Sequence, residues 1–394
     1  MSRILFINSV CNGSTGMICK NLYKVAVEAG HECCIAYGRG EAPEGFNTIK
    51  IGNQLDIYLH VLKARMFDAS GFGSKHATKE FIKRIEEFKP DIIHLHNIHG
   101  YYVNIEILFK YLKEHPEIKK IWTLHDCWAF TGHCPHFEYD KCMQWKTGCK
   151  KCVRTKKYPR SLVDKCNRNY QLKKKIFTDV NNLILVSPSN WLMNLVKKSF
   201  LSNYEIQTIK NGINIDIFNQ SNEKINTSID LNNKKIILGV ASIWDDSKGL
   251  NEFIELSKKI TNDYIIILIG KLNNKHIKQF NNIYNVSNIN DSRELAKWYL
   301  AAYVFFNPTK GEAFGLTNYE AQACGTPVVT FDAGGTSETI INKNSFLIKG
   351  LNEFEQLIKN TAFYKLNLCV EERNCFSIHN TIKKYLDNYK EDNQ

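Results

Sequence analysis

The chain has 394 residues, a length that exceeds one ordinary hydrophobic core and predicts two domains. Apolar residues make up 43% of it, and it has neither a low-complexity tract nor a repeat, which excludes the disordered and solenoid classes. No apolar run reaches transmembrane length, and the 13 cysteines in a chain without an export signal favour a reducing cytosol over disulfide bonds.

The first half alternates short apolar runs with amphipathic stretches. Helices are predicted at 17–29 and at 78–88, the latter closed by Pro90. Strands are predicted at 4–8, 33–37, 91–96, 120–124 and 183–187. Such alternation predicts a parallel sheet covered by helices on both faces, with ligands bound beyond the carboxyl ends of its strands.

A glycine-containing loop follows the first predicted strand. In the segment Asn12-Gly-Ser-Thr-Gly16, small residues allow backbone N–H groups near Thr15 and Gly16 to approach a pyrophosphate. A plain tight turn is the alternative for such a loop.

Histidines follow two neighbouring strands. His125 and Asp126 come directly after 120–124, so we expect them to face the ligand crevice, with Asp126 orienting the histidine or meeting an acceptor hydroxyl. The alternative is a buried core histidine beside a capping aspartate. His94, His96 and His99 follow the preceding strand, and they either line the same cleft or have no role in the site.

A cysteine cluster follows within an insertion at about 127–160. A Cys-x2-Cys pair and two further thiols fall within 19 residues, a pattern that predicts a structural zinc site, with His133 or His136 as substitute ligands: Cys134, Cys142, Cys149 and Cys152. Free thiols on a loop are the alternative.

The formal charge of +12 is concentrated in the segment 141–175, where we counted thirteen basic residues, Lys173 among them, against Asp164. The segment predicts contact with an anionic membrane surface or a solvated face. A nucleic-acid partner is not expected, since no recognisable motif accompanies the charge.

The second half repeats the alternation, with strands predicted at 235–239, 264–269, 304–307 and 327–330. A polar run from 210 to 233 is interpreted as a linker, with the boundary near 212. The expected domains are therefore 1–212 and 213–375.

The segment from Gly311 to Glu320 sets two carboxylates eight positions apart across a predicted loop-to-helix junction. If a helix begins near Gly315, Glu320 lies about 8 Å along it while Glu312 stays on the loop. One carboxylate then suits a sugar and the other a ribose, with helix-start amides facing phosphates between them. An exposed helix start with two solvated glutamates is the alternative.

These residues carry a resemblance. Asn307-Pro-Thr309, Glu312-Ala-Phe-Gly-Leu316 and Glu320 with its following Gly-Thr-Pro-Val-Val329 resemble the donor-site signature of family 4 retaining glycosyltransferases of the GT-B fold. The resemblance covers most of the chain and is most specific between 239 and 338. It implies two Rossmann-like domains facing a central cleft, with a last helix, 376–394, that returns to the first domain.

The resemblance also implies roles. His125 would contact the transferred sugar, Lys248 would neutralise the departing diphosphate, Glu312 would orient the sugar hydroxyls and Glu320 would bind the ribose. The implied catalytic residues are His125, Asp126, Lys248 and Glu312, and the implied donor-binding residues are Thr15, Gly16, Lys248, Glu312, Phe314, Gly315, Leu316, Thr317 and Glu320. Where the family usually has an arginine, this chain has Ser242, so one expected cation is missing.

The expected activity is that of a metal-independent, retaining hexosyltransferase at the cytoplasmic face of the plasma membrane. Its donor would be a UDP- or GDP-sugar, and its acceptor a saccharide or polyprenyl-linked saccharide of a bacterial capsule, exopolysaccharide or lipopolysaccharide. No cofactor is expected for catalysis, and the zinc predicted at the cysteine cluster would be structural only. The alternatives are a sugar-nucleotide 2-epimerase of the same fold and a non-catalytic saccharide-binding or scaffold protein.

Overall fold

The computed structural model describes residues 1–231, 234–272, 277, 280–287, 289 and 291–390. The chain divides into two compact units. One comprises Met1–Lys210 together with the chain from Ile382 onward, and the other comprises Asn211–Thr381.

The first unit is built on a seven-stranded parallel sheet with the order β3-β2-β1-β4-β5-β6-β7. Its strands are β1 Arg3–Val10, β2 Glu32–Arg39, β3 Thr48–Lys50, β4 Ile92–Leu95, β5 Lys119–Thr123, β6 Leu183–Ser187 and β7 Glu205–Thr208. Its helices are α1 Gly13–Glu28, α2 Gln54–Phe67, α3 Lys75–Phe88, α4 Ile105–Glu114, α5 Cys166–Phe177 and α6 Asn190–Val196.

The central strands are hydrophobic along their whole length because helices cover both faces of the sheet. Ile4, Leu5, Phe6 and Ile7 of β1 are all fully buried, as a doubly covered parallel strand requires. The sheet therefore presents the carboxyl ends of β1, β4 and β5 side by side, with Ile4 of β1 paired to Ile92 of β4.

The second unit has a six-stranded parallel sheet with the order β10-β9-β8-β11-β12-β13. Its strands are β8 Lys235–Trp244, β9 Tyr264–Leu272, β10 Ile283–Val286, β11 Val304–Asn307, β12 Val328–Phe331 and β13 Phe346–Ile348. Its helices are α7 Leu250–Ser257, α8 Ser292–Ala301, α9 Leu316–Ala323, α10 Leu351–Asn360 and α11 Val370–Phe376, and α12 Ile378–Tyr389 follows.

Alternate residues of β9 enter different cores of the second unit. Ile265, Ile267 and Ile269 pack with α8 and α9, whereas Ile266 and Leu268 pack with α7 and α10. This period of two along a fully buried strand explains why the strand is an unbroken apolar run.

The expected fold class, two doubly wound α/β units with parallel sheets, is confirmed. The four strands that we did not predict are β3, β7, β10 and β13, each of three or four residues and each at a sheet edge or end. Strands this short carry too little periodicity to stand out from a loop. Residues 232 and 233 of the predicted linker lie outside the described part of the chain.

The last helix links the two units along the chain. We predicted it at 376–394, and α12 occupies Ile378–Tyr389; residues 391–394 lie outside the described part. Within the first unit, the Tyr389 hydroxyl lies 2.7 Å from Nδ1 of His94, and the Tyr385 hydroxyl lies 3.0 Å from that of Thr123. His94 is thus a buried core histidine that anchors the returning helix.

Across the described residues, every helix is too short or too polar to cross a bilayer.

Candidate functional site

The loop-to-helix junction lies where the sequence predicts it. Helix α9 begins at Leu316, directly after Gly315, whose φ of 98° lies in the left-handed region that glycine tolerates. Glu312 is on the preceding loop, and Glu320 is in the second turn of the helix. The Asn318 amide donates to the Gly315 carbonyl at 3.1 Å, and the amides of Leu316 and Thr317 stand at a helix start, the position at which helices bind anions.

The segment after β12 holds the backbone of Glu312. The Gly335 amide donates to the Glu312 carbonyl at 2.8 Å, and a Cβ on Gly334 would lie 2.1 Å from that same oxygen. Only glycine at 334 allows this close approach, so the Asp332–Gly335 loop holds the backbone from which the Glu312 side chain extends.

Lys248 and Glu312, two residues predicted for the site, form an ion pair. The Lys248 Nζ donates a short hydrogen bond to Glu312 Oε2, and both side chains keep about a third of their surface exposed. Lys248 ends the 3-10 turn Asp246–Lys248, which the Asp245 side chain caps by accepting from the Lys248 amide at 3.1 Å. A cation and a carboxylate therefore lie together beside the start of α9.

Lys310 is a positioning residue that we did not predict. Its Nζ lies 2.8 Å from Asp246 Oδ1 and 3.1 Å from Glu252 Oε1, and its amide donates to the Ser247 carbonyl at 2.9 Å. Lys310 thus ties the turn that carries Lys248 to the loop that carries Glu312. In the sequence, the only sign of this role is that Lys310 directly precedes the Gly311–Glu320 segment.

Glu320 has a partner from another helix. The Tyr299 hydroxyl, on α8, donates to Glu320 Oε2 at 2.9 Å. Burial raises the pKa of Glu320 to about 7, although the hydrogen bond from Tyr299 opposes this shift. The carboxyl group is therefore poised to change its charge near neutral pH.

A buried polar network fixes helix α9. Asn318 accepts from the Asn307 side chain at 2.9 Å and donates to Thr339 at 2.8 Å, and Gln322 donates to the Thr339 carbonyl at 2.7 Å. All but Asn307 are fully buried. Two polar residues one helical turn apart, at positions 318 and 322, are the signal in the sequence that could have predicted this network.

Phe314 lies in the core of the second unit. It packs edge-on against Tyr319, with ring centroids 5.0 Å apart, and it is almost fully buried. The structure thus gives Phe314 a packing role, and a direct contact with a donor stays a prediction. Gly315, Leu316 and Thr317 form the helix start itself.

The first unit gathers histidines at the carboxyl ends of β4 and β5. His96 Nδ1 and His125 Nε2 share a hydrogen bond of 3.1 Å, and their rings are stacked at 16°. Burial lowers the pKa of His125 to about 4, so this ring is neutral at physiological pH. The ring pair gives His125 a fixed orientation.

The structure gives Asp126 a different partner from the one we expected. Its Oδ2 accepts from His99 Nε2 at 2.8 Å, and its Oδ1 accepts from the Trp128 amide at 2.8 Å, so it orients His99 and not His125. Burial alone would raise the pKa of Asp126, but His99 and these bonds lower it to about 2. His99 Nδ1 in turn lies 3.2 Å from the Tyr158 hydroxyl, which makes a Tyr158–His99–Asp126 chain.

Thr15 and Gly16 lie in the first turns of α1, which begins at Gly13. The Asn8 side chain donates to Thr15 Oγ1 at 3.4 Å, and a Cβ on Gly16 would lie 2.4 Å from the Cys11 carbonyl carbon. Close packing on the preceding loop accounts for glycine at 16. A donor contact by either residue stays a prediction.

The cysteine cluster does not form a metal site in the described part of the chain. Cys134 and Cys152 share a hydrogen bond, but no three His, Cys, Asp or Glu side chains there are arranged to hold a metal ion. Nδ1 of His133 lies 2.5 Å from Asp68 Oδ1. As placed, these side chains are not gathered around one metal position, so the zinc prediction rests on the sequence pattern alone.

The zinc site stays a prediction that metal analysis tests. If Cys134, Cys142, Cys149 and Cys152 bind zinc, the purified protein should contain zinc in stoichiometric amount. Chelation should then lower its melting temperature by several degrees, because the folded state would lose a ligand that stabilises it. Protein purified without chelator that contains only trace zinc would end the hypothesis.

Lys173 does not belong to the surface charge of the basic segment. We counted it among the surface cations, but it is buried and donates to the carbonyls of Trp128 and Thr131 at 2.8 and 3.0 Å. Its Nζ lies 3.4 Å from the centre of the Trp128 ring. Lys173 therefore fastens the start of the insertion to α5, and the other basic residues of 141–175 remain candidates for a partner surface.

Residues 221–366 match the family model described as "Glycosyl transferases group 1". The chain contains a group 1 glycosyltransferase domain. The match spans Lys248, Glu312 and Glu320 and their positioning residues Lys310 and Tyr299.

One curated relative of this chain is the putative colanic acid biosynthesis glycosyl transferase WcaC of Escherichia coli K12, at 27% identity over 233 residues. The alignment covers 55% of each chain, so it spans about half the length of that relative.

Two solved structures share the fold along almost the whole chain. Sucrose-phosphate synthase of Thermosynechococcus elongatus has a TM-score of 0.70 at 16% identity and covers 99% of this chain and 98% of that one. Anabaena Alr3699/HepE, in complex with UDP and glucose, has a TM-score of 0.67 at 15% identity, with 99% of each chain covered. The expected GT-B fold is thereby confirmed.

Proposed function

We propose that the protein is a retaining glycosyltransferase that transfers a hexose from a nucleoside-diphosphate sugar to a saccharide acceptor. The observation that carries the proposal is the Lys248–Glu312 pair beside the first turn of α9, with Glu320 one turn further along. A cation, the amides of a helix start and two carboxylates together suit a ligand whose phosphates lie between two polyhydroxylated groups.

The donor would be bound by charge and by helix amides, without a metal ion. Lys248 would exchange part of its interaction with Glu312 for the diphosphate and stabilise the negative charge that develops as the glycosidic bond breaks. The amides of Leu316 and Thr317 would bind the same phosphates. Glu312 would then accept hydrogen bonds from sugar hydroxyls, and Glu320 from the ribose.

Retention would follow from attack on the face that the diphosphate leaves. The acceptor oxygen would bond to the anomeric carbon as the carbon–oxygen bond to the diphosphate breaks, and the departing diphosphate would take the acceptor's proton. No side chain needs to form a covalent intermediate. His125, held by His96, would contact the transferred sugar, while Asp126 would act on the acceptor side through His99 and Tyr158.

The acceptor class is inferred from the relatives and from charge. The name of the WcaC relative refers to colanic acid biosynthesis, and the HepE structure contains UDP and glucose. We therefore propose a UDP- or GDP-sugar donor and a saccharide or polyprenyl-linked saccharide acceptor of a bacterial surface polysaccharide. The basic segment 141–175 would bring the enzyme to the cytoplasmic face of an anionic membrane.

A non-catalytic saccharide-binding or scaffold protein is the second candidate, because Ser242 stands where the family usually carries a second cation. A transfer assay separates the two. With EDTA present and with a panel of UDP- and GDP-sugars and lipid-linked saccharides, we expect one donor to give a product whose new linkage has the donor's anomeric configuration by NMR.

Binding of a saccharide with no product and no response to any sugar nucleotide would favour the non-catalytic protein. Conversion of the free sugar nucleotide into its 2-epimer would identify the epimerase alternative, and an inverted linkage would contradict retention.

A further inference from the structure

Helix α2 exposes an apolar face to solvent. Leu55 and Tyr58 are 64% and 66% exposed, and Leu59, Leu62 and Met66 are exposed as well. Their spacing of three, four, seven and eleven residues places them along one side of the helix. We call these five residues the α2 face. A contiguous apolar strip of this kind on a folded unit marks an interaction surface.

The α2 face belongs to a firmly held helix. The opposite side buries Ile57, His60 and Ala64, and His60 Nε2 accepts from the amides of Gly71 and Gly73 at 3.2 and 3.0 Å. Asn53 closes the start of the helix with a capping box. The exposed apolar side chains are therefore presented in a fixed arrangement.

The insertion extends the α2 face at the end of the helix. The Leu162 amide donates to the Arg65 carbonyl at 2.7 Å, and the Ser161 hydroxyl donates to the same oxygen at 3.2 Å. Leu162 is itself 78% exposed, and its neighbour Val163 is exposed too. The contact aligns a second apolar patch with the C-terminal end of α2.

Positive charge borders this joined surface. Arg65 on α2 is exposed, and so are four basic residues around Leu162 in sequence: Lys156, Lys157, Arg160 and Lys165. The acidic residues nearby in sequence are Asp56, Asp164 and Asp68, the last of which is buried. Two copies of such a surface would bring like charges together, whereas anionic lipid headgroups would neutralise them.

We propose that the α2 face docks on an anionic lipid bilayer, with its apolar side chains in the headgroup–acyl boundary and the flanking cations on lipid phosphates. Apolar side chains beside basic ones are the combination by which an interfacial helix binds. This proposal extends the proposed function, since a lipid-linked acceptor requires the enzyme to work at a membrane. It can be tested without donor or acceptor, so its failure is distinct from a failure of transfer.

Vesicle co-sedimentation tests the proposal. The full chain should bind vesicles of phosphatidylglycerol and phosphatidylcholine and be released by salt, and it should bind vesicles of phosphatidylcholine alone at least about tenfold more weakly. The double variant Leu59→Gln/Leu62→Gln should lose about tenfold or more in affinity for the anionic vesicles. The matched control is Tyr364→Gln/Val370→Gln, which changes two exposed apolar residues of the second unit and should bind like the wild type.

A separate charge variant keeps the test independent of folding of α2. Lys156→Gln/Lys157→Gln should weaken binding to anionic vesicles severalfold and reduce its salt dependence. Equal binding to both vesicle types, or unchanged binding of the α2 double variant, would overturn the proposal. A dimer in sedimentation equilibrium that the α2 double variant dissociates would identify a second copy as the occupant instead.

Discussion

Replacing Lys248 by alanine is expected to lower the rate of sugar transfer by at least about a hundredfold, the cost of removing one preorganised charge from a developing anion. The effect should be large because the described cations near this site have different tasks. Lys310 is held by Asp246 and Glu252, and Ser242 supplies no charge. The measurement is kcat with saturating donor and acceptor, together with a melting curve.

Lys258→Ala is the matched control for this variant. Lys258 is another lysine of the second unit, half exposed and paired with Glu255 three residues earlier, and its removal should leave kcat unchanged. If Lys248→Ala kept the wild-type rate with an unchanged melting temperature, the diphosphate would have to be neutralised elsewhere. The assignment of the donor site would then be wrong.

Replacing Glu320 by glutamine is expected to weaken nucleoside-diphosphate binding by about ten- to a hundredfold at pH 8, since hydrogen bonds to an ionised group are worth about 1.5–3 kcal/mol. The carboxyl pKa of about 7 adds a pH dependence. The ionised form accepts ribose hydroxyls better than the neutral acid, so wild-type affinity should fall as the pH is lowered from 8 to 6. The affinity of Glu320→Gln should be flatter over the same range.

The same shift affects stability with a definite sign. The pKa of Glu320 is raised from 4.5 in the unfolded chain to about 7 in the folded protein, so the folded state holds the extra proton between these values. The resulting stabilisation is complete below about pH 4.5 and is lost as the pH rises through 7. The difference in unfolding free energy between the wild type and Glu320→Gln should follow this window, and a constant difference from pH 4.5 to 8 would refute the raised pKa.

Much of the donor half of the site could be predicted from the sequence because its parts are local. The start of α9 after Gly315, with Glu312 on the loop and Glu320 in the helix, follows from residues within ten positions of one another. Local signals such as a glycine before a helix-start pattern can be recognised without knowledge of the tertiary fold.

The partners of these residues could not be predicted because they come from distant parts of the chain. Tyr299 reaches Glu320 from another helix, and Lys310 meets Asp246 across 64 positions. In the first unit, Asp126 pairs with His99 of the neighbouring strand end, 27 positions away, although His125 is its neighbour in sequence. Sequence adjacency suggested the wrong histidine, since successive residues at a strand end point in different directions.

The sequence does not show which charged or apolar residues are buried and which are exposed. Lys173 looked like one more cation of a basic segment, yet the Trp128 ring and two carbonyls hold it inside the fold. The converse case is α2, a helix with no counterpart among the predicted elements, whose apolar residues are exposed along one side. Hydrophobic pattern alone cannot tell a covered face from an exposed one.

The most direct test of the donor site is a metal-free calorimetric titration of UDP, GDP, ADP and CMP into the wild type and Glu320→Gln at pH 8. The account predicts that one nucleoside diphosphate binds selectively to the wild type and markedly more weakly to the variant. If the wild type binds none of them, or if both proteins bind the same nucleotide equally well, the second unit does not hold a sugar nucleotide in the way proposed here.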